Sequence, residues 1–139
     1  MDAIQAIKTR ISTCEFNDQP ISDEAVRTIL EAGMSGPTAV NARPWSFIVV
    51  RDKATIEKLA AAGSRPNMPL MTATMAIVVC SDPERYFKFV PDFWIVDASI
   101  ATQNMRWTTV CYSTRLTMRR VYAPSEASDI ACASATSPR

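Results

Sequence analysis

The chain contains no histidine, and this absence limits the chemistry that its side chains can perform. It lacks the base of a Ser-His-Asp or Cys-His site and the commonest protein ligand for zinc. Its four cysteines, at positions 14, 80, 111 and 132, form no CxxC pair, which is typical of reduced thiols in a cytoplasmic protein. We therefore expect no metal site, and demanding chemistry would have to come from a bound cofactor.

An excess of charge of one sign is also lacking, because 15 basic residues nearly balance 14 acidic ones. Such a chain offers no basic stripe for nucleic acid and no polybasic patch for lipid. No segment approaches the roughly 20 apolar residues of a membrane span, and the opening residues do not resemble a secretory signal. We expect a cytoplasmic protein that binds neither nucleic acid nor membrane, folded as one domain over residues 1–139.

Glycine is scarce, with three residues and none after Gly63. Neither GxGxxG nor GxxxxGK[ST] occurs, and these are the patterns whose backbone N–H groups hold the phosphates of dinucleotides and nucleoside triphosphates. The sequence therefore predicts neither a Rossmann dinucleotide site nor a P-loop.

Three polar residues are placed to cap helices, Asp2, Ser22 and Asp52. The first helix is expected to carry an apolar stripe of Ile4, Ile7 and Ile11. The second has an acidic first turn and a stop at Gly33, and its expected core residues are Val26, Ile29 and Leu30. The third is expected to end near Gly63, with Ile56 and Leu59 on its apolar side.

Two apolar runs predict strands, one over residues 45–50 and one over residues 76–80, the second covered on both faces. The segment SGPTAVNARP, residues 35–44, is rich in turn-forming residues and has no apolar period. We expect a loop there, of the kind that carries binding sites when rigid elements flank it.

A further helix is expected to begin at Asp92, with apolar residues nearly all round and a shared face of Phe93, Val96, Ile100 and Asn104. This pattern breaks at Arg106. Beyond the break, the residues predict a strand over 108–112, one or two helical turns over 116–121 and a thin strand over 130–135.

Two segments resemble the FMN-dependent nitroreductase family. AIKTRISTCEFNDQPISDEAVRTILEAGMSGPTAVNARPWSFIVV resembles the family's opening, in which Arg-x-Ser-x-basic-x-Phe ends a helix and a Pro-[Ser/Thr]-x-x-Asn-x-x-Pro-Trp loop precedes a strand. DPERYFKFVPDFWIVDASIATQNM looks like the family's helix with Asp-Ala-x-x-Ala-x-Gln-Asn-Met. The matches are in the family's order and cover roughly three-quarters of the chain.

This resemblance implies an α+β sandwich, a mainly antiparallel sheet flanked by helices, assembled as an intertwined homodimer with flavin at the interface. It implies an FMN-dependent oxidoreductase that uses NAD(P)H to reduce nitroaromatic, quinone or similar small-molecule acceptors. The flavin performs the redox chemistry in that family, so no catalytic side chain is expected.

The resemblance also implies the cofactor-binding residues. Arg10 and Ser12 match an arginine and a serine that bind the FMN phosphate. Ile11 and Cys14 stand where the family commonly has basic residues, which implies a weaker phosphate site. The loop that lines the flavin from the partner subunit corresponds to Pro37, Thr38, Ala39 and Asn41.

Four more positions complete this set. Asn67 matches a flavin contact, and Gln103, with its neighbour Asn104, matches a polar pair on the buried helix near the dimer interface. Thr108 and Thr109 open TTVCY, which resembles a later strand that passes the flavin. Taken singly, Arg10 would be a helix-end cation and PTAVNARPW an ordinary loop, but their joint occurrence in family order favours a flavin site.

Two other hypotheses stay open. A non-catalytic or flavin-binding-impaired relative is indicated by Ile11, by Cys14 and by residues 106–139, which diverge from the family and are shortened by about three helical turns. A flavin-fragmenting or dehalogenating enzyme would share the same fold.

Overall fold

The computed structural model describes residues 2–10, 16–62, 65–85 and 92–111. Five α-helices and two strands lie in these ranges: α1 (Ala3–Thr9), α2 (Asp23–Met34), β1 (Trp45–Val50), α3 (Lys53–Ala61), α4 (Met68–Met71), β2 (Ala76–Ser81) and α5 (Phe93–Cys111). Short 3-10 turns cover Ala39–Asn41 and Pro83–Arg85. The helices and the antiparallel sheet confirm the predicted α+β class.

The three predicted helix caps are confirmed. The side chains of Asp2, Ser22 and Asp52 each accept a hydrogen bond from the backbone N–H three residues further on, at 2.8, 3.2 and 2.8 Å. Each bond satisfies one of the N–H groups that the first turn of a helix leaves without an intrahelical partner.

The two strands pair antiparallel, in a register that runs from Trp45 opposite Ser81 to Val50 opposite Ala76. Alternate residues point to opposite faces, so each face packs against a different set of helices. One face joins the core of α2 and α5 through Phe47, Val49, Ile77 and Val79. The other packs against α3 and α4 through Ile48, Val50, Ala76 and Val78. The expected coverage of β2 on both faces is confirmed.

Helix α5 buries a different line of residues from the predicted one. Asp97, Ala101, Met105 and Thr109 recur every four residues and are all almost fully buried. Of the predicted face, Phe93 and Val96 are instead 43% and 47% exposed. Apolar residues occupy nearly every side of this helix, so spacing alone did not distinguish the buried line from its neighbours.

The expected break at Arg106 and the strand over residues 108–111 are wrong, because α5 continues to Cys111. β-branched residues lower helix propensity, but the hydroxyl of Thr108 donates to the Asn104 carbonyl oxygen at 3.0 Å and that of Thr109 donates to the Arg106 carbonyl oxygen at 2.8 Å. The buried line therefore runs past Met105. The elements expected over residues 116–121 and 130–135 lie outside the described residues.

The prediction that the isoleucine stripe of α1 faces the core is also wrong. Ile4 and Ile7 are 61% and 46% exposed, whereas Ala6 is buried. Ile11 lies outside the described residues. None of the helices in the described ranges is long and apolar enough to cross a membrane.

Gly33 lies inside the last turn of α2 and does not terminate it, because the helix extends to Met34. A Cβ at Gly33 would lie 2.9 Å from Met105 Cγ and 3.3 Å from Phe47 Cζ. Met105 is fully buried, so it has little room to move away. The absence of a side chain at Gly33 therefore lets α2 approach α5.

Gly33→Ala is expected to lower the free energy of unfolding by about 1 kcal/mol, since overpacking costs roughly 1–3 kcal/mol and helix propensity returns up to about 1 kcal/mol. In a Met105→Ala background, where the opposing side chain is truncated, the same change should no longer destabilise. Chemical denaturation of the four proteins measures the difference. An equal loss in both backgrounds would show that the Met105 contact is not the cause.

A second prediction concerns the cap of α3. Hydrogen bonds from the side chain and backbone of Thr55 hold the pKa of Asp52 below its usual value, with a smaller contribution from Lys58. A pKa lowered by folding contributes stability that is present above the unfolded pKa and is lost as the pH falls through the folded pKa. The cap should therefore weaken only in acid, below the ordinary pKa of an aspartate.

Thr55→Val removes the hydroxyl donor and should raise the pKa of Asp52 towards its usual value, as followed by NMR of the carboxyl carbon during an acid titration. Lys58→Gln, the matched control, should raise it less. A larger effect from Lys58→Gln would mean that charge, and not hydrogen bonding, sets this pKa.

Candidate functional site

The loop between α2 and β1 has an unusual backbone. Val40, Asn41 and Arg43 have φ angles of 50°, 56° and 45°, in the left-handed region that glycine normally occupies. This region costs residues with a side chain roughly 1–2 kcal/mol each, and a β-branched residue such as valine is a particularly rare occupant. The loop therefore needs restraints from its surroundings to keep this shape.

Part of the restraint comes from within the loop. The Thr38 hydroxyl oxygen accepts from the Arg43 backbone N–H at 3.2 Å, and the Asn41 side-chain oxygen accepts from Arg43 Nε–H at 3.1 Å. The Asn41 backbone N–H donates to the Thr38 carbonyl oxygen at 3.1 Å. These bonds close the loop into a compact turn.

The segment after β2 holds the C-terminal end of the loop. The Asp82 N–H donates to the Pro44 carbonyl oxygen at 2.9 Å, and Arg85 Nη1 donates to the Arg43 carbonyl oxygen at 3.0 Å. Arg85 also forms an ion pair with Asp82 at 3.5 Å. The loop is therefore fixed to the sheet at the end where β1 begins.

Helix α5 holds the other end of the loop. Asp97 Oδ2 accepts from the Ala39 backbone N–H at 2.9 Å, although the two residues are 58 positions apart in sequence. Asp97 is only 2% exposed. Gly36 lies close to the same helix, because a Cβ there would be 3.2 Å from Ile100 Cγ2 and 3.4 Å from Asn104 Nδ2. The loop thus lies along α5 from Asp97 to Asn104.

The structure brings two groups of predicted site residues together. Pro37, Thr38, Ala39 and Asn41 lie in the restrained loop, and Gln103 lies on α5 beside Asn104. Gln103 is half-buried. Gly36, at the start of the loop, approaches Asn104, the neighbour of Gln103 on α5.

Other predicted residues lie elsewhere. Arg10 is half-buried at the C-terminal end of α1, which packs against α5. Asn67 precedes α4, where its N–H donates to the Ala60 carbonyl oxygen at 2.9 Å. No hydrogen bond found among the described residues joins Asn67 to the loop. Ile11, Ser12 and Cys14 lie outside the described residues.

The prediction that Thr108 and Thr109 lie on a strand that passes the flavin is wrong. Both are on α5, and their hydroxyls donate to carbonyl oxygens of the same helix. Thr109 is buried in the core line of α5. We interpret Thr109 as a structural residue of this helix.

Asp97 is the residue that sequence reasoning missed. It belongs to the quoted Asp-Ala-x-x-Ala-x-Gln-Asn-Met motif, to which only Gln103 and Asn104 were assigned a role. A carboxyl group on a largely apolar helix should have a polar partner, because burying it without one is costly. That expectation was the available signal for its contact with the loop.

Trp45 follows the loop directly, at the first position of β1. Its ring stacks on Phe47 with centroids 5.5 Å apart and an interplanar angle of 23°. Its indole N–H is buried and has no hydrogen-bond partner in the described part of the chain. The stacking holds the Trp45 ring against Phe47, which lies on the same face of β1.

No group of three or more metal-ligating side chains occurs within the described ranges. The candidate site consists of the restrained loop and the buried carboxyl group of Asp97 that holds it.

Residues 7–67 match the model of the nitroreductase family. This range includes Arg10 and the whole loop. Individual relatives agree with this match. A proposed NADH dehydrogenase/NAD(P)H nitroreductase of Methanothermobacter thermautotrophicus is 42% identical over 105 residues, or 76% of this chain.

The chain belongs to the nitroreductase family.

Two solved structures of nitroreductase relatives share its fold. A proposed NADH dehydrogenase/NAD(P)H nitroreductase from Bacteroides thetaiotaomicron is 34% identical with a TM-score of 0.71 over 79% of this chain. A nitroreductase from Desulfovibrio desulfuricans, solved in complex with FMN, is also 34% identical, with a TM-score of 0.67 over 79% of this chain. The predicted nitroreductase-like fold is confirmed.

The chain spans only part of these proteins. It covers 53% of the Methanothermobacter protein and 62% and 63% of the two structures. The activity, substrates and assembly of a whole nitroreductase are therefore matters for proposal in this chain.

Replacing Val40 tests whether the loop is strained. Val40→Asn should raise the free energy of unfolding by about 1 kcal/mol, since asparagine tolerates the left-handed region better than a β-branched residue. Val96→Asn is the matched control, because Val96 is also exposed but lies within α5 and away from the residues of positive φ. Denaturant titration measures both, and a gain of equal size in the control would argue against strain at Val40.

Proposed function

We propose that this chain is an FMN-dependent NAD(P)H oxidoreductase that acts as a homodimer. The observation that carries the proposal is the restrained loop at Pro37–Asn41, which has the sequence of the nitroreductase flavin-lining loop and lies along α5. The FMN bound to the Desulfovibrio desulfuricans relative supports the choice of cofactor. The names of relatives support NAD(P)H as the reductant.

The residues present fit a flavin nucleotide. Pro37 and Asn41 are exposed at the loop surface, and the small side chain of Ala39 lets the backbone approach a flat ring. Arg10 supplies a guanidinium group, which binds phosphate through charge-assisted hydrogen bonds. We assign the loop to the ring and Arg10, with Ser12, to the phosphate.

The roles of the protein in the reaction would be binding and orientation. Bound FMN supplies hydride and electron transfer between NAD(P)H and a nitroaromatic, quinone or similar acceptor. The loop holds a fixed surface, and the buried contact with α5 keeps its backbone from rearranging during turnover. No side chain of the chain is required as a nucleophile.

A homodimer is supported by apolar side chains at the surface of the described residues. Ile4 and Ile7 on α1, and Phe93 and Val96 on α5, are between 43% and 61% exposed. Burying each such side chain would stabilise an interface by roughly 1.5–3 kcal/mol at most. The cytoplasmic location and the lack of nucleic-acid partners stay predictions from composition.

A flavin-binding-impaired relative is the alternative, favoured by the uncharged residues Ile11 and Cys14 at sequence positions where the family commonly has basic residues. The FMN affinity of Cys14→Arg tests this alternative. A large rise in FMN affinity would indicate a damaged phosphate site, whereas unchanged weak affinity would indicate that the flavin site is lost.

The phosphate assignment predicts a difference between two ligands. The protein should bind FMN more tightly than riboflavin, which lacks the phosphate. Arg10→Met should weaken FMN binding roughly tenfold to hundredfold, the equivalent of a charge-assisted hydrogen bond of about 1.5–3 kcal/mol, and should leave riboflavin affinity unchanged. Quenching of flavin fluorescence measures both constants.

Arg27→Met is the control, because Arg27 is an exposed cation on α2. It should change neither affinity. The proposal as a whole would be rejected if the purified protein, incubated with excess FMN and then separated from free flavin, stayed colourless and oxidised neither NADH nor NADPH.

A further inference from the structure

We infer that Asp97 is a positioning residue that holds the flavin-lining loop in the conformation that binds the flavin ring. This inference rests on the proposed function. Three observations converge on it. Asp97 is 2% exposed, its Oδ2 accepts from the Ala39 N–H at 2.9 Å, and the residue that follows Ala39 is the strained Val40.

The hydrogen bond is placed where the backbone turns. Thr38 is extended, with φ −130° and ψ 145°, whereas Val40 is left-handed, with φ 50° and ψ 22°. Ala39 lies between these two conformations, so a bond to its N–H holds the backbone one residue before the left-handed position. A carboxyl oxygen fixed on a buried helix therefore anchors the start of the strained segment.

The carboxyl group is itself well fixed. Asp97 lies on the buried line of α5 with Ala101 and Met105, and α5 packs against α2 and both strands. A hydrogen bond from such a rigid residue restrains the loop more strongly than a bond from an exposed side chain, because little side-chain freedom is left to be lost. The loop residues Thr38 and Asn41 are restrained through Ala39.

The valine at position 40 also indicates that the loop is restrained by its surroundings. Its side chain is 64% exposed, so no buried contact explains its presence in the left-handed region. Strain of this kind persists when surrounding structure over-determines it, and it concentrates at ligand sites. The bond from Asp97 is the restraint that comes from the core, and the bonds from Asp82 and Arg85 act at the opposite end of the loop.

Amide exchange in the flavin-free protein tests the restraint directly. In Asp97→Ala, the Ala39 amide should exchange at least about tenfold faster, because its hydrogen-bond acceptor is gone. Asp97→Asn keeps an acceptor oxygen and should stay within about threefold of the natural rate. Ser99→Ala is the control, since Ser99 is exposed on the same helix and, within the described ranges, its hydroxyl donates along that helix to the Ile95 carbonyl oxygen at 2.6 Å. Unchanged exchange in Asp97→Ala overturns the inference.

Flavin titration of the same proteins tests the consequence for the ligand. Asp97→Ala should raise the Kd for FMN and for riboflavin by the same factor, about tenfold or more, because the loop faces the ring. Asp97→Asn should restore both. This pattern differs from the FMN-specific loss expected for Arg10→Met, and an FMN-specific loss in Asp97→Ala would overturn the assignment to the ring.

One further variant keeps the test decisive if Asp97→Ala does not fold, and a second, Val40→Asn, adds a test if it does fold. Ala39→Pro removes the N–H from the loop side, and the extended Thr38 is compatible with a following proline. It should weaken the binding of both FMN and riboflavin, as Asp97→Ala would. Val40→Asn relieves the strain, so Asp97→Ala should cost less affinity in that background, and an equal cost in both backgrounds counts against the inference.

The outcomes separate this inference from the proposed function. If the natural protein binds neither FMN nor riboflavin, the proposed function fails, and the ring-positioning role fails with it. The exchange rates of the Ala39 amide still decide whether Asp97 fixes the loop.

Discussion

The close approach of α2 and α5 is the contact on which the other elements depend. It requires a residue without a side chain at Gly33, opposite the fully buried Met105. Once the two helices meet there, α5 fills the space beneath one face of the sheet, and its residues 97–104 come to lie under the loop that leaves α2. The geometry of the candidate site is therefore set by packing some distance away from it.

Local signals in the sequence predicted much of this fold. The caps at Asp2, Ser22 and Asp52, both strands and the turn-rich loop follow from hydrogen-bonding and dihedral preferences of single residues, which act over a few positions. The buried line of α5 did not follow, because apolar residues surround that helix and only tertiary packing selects Ala101 and Met105. The continuation past Arg106 was missed because threonine is a poor helix former, and the burial of Thr109 in the core is a tertiary effect that local preference does not report.

The candidate site could be predicted only in part, for a related reason. Family order located the loop at Pro37–Asn41 and the polar residue Gln103, since short motifs keep residue types and spacing. The conformation of the loop could not be predicted, because no glycine marks the left-handed positions Val40 and Arg43. Its partner Asp97 is 58 positions away from Ala39, a separation that local patterns do not report.

The strand register has a consequence for this loop as well. Trp45 lies opposite Ser81, and the hydrogen bonds from Asp82 and Arg85 reach back to Pro44 and Arg43 from the adjoining end of β2. A slip of one residue between the strands would exchange their two faces and would also pull the loop away from α5. Sliding of the strands and disengagement of the binding surface should therefore occur as a single cooperative event.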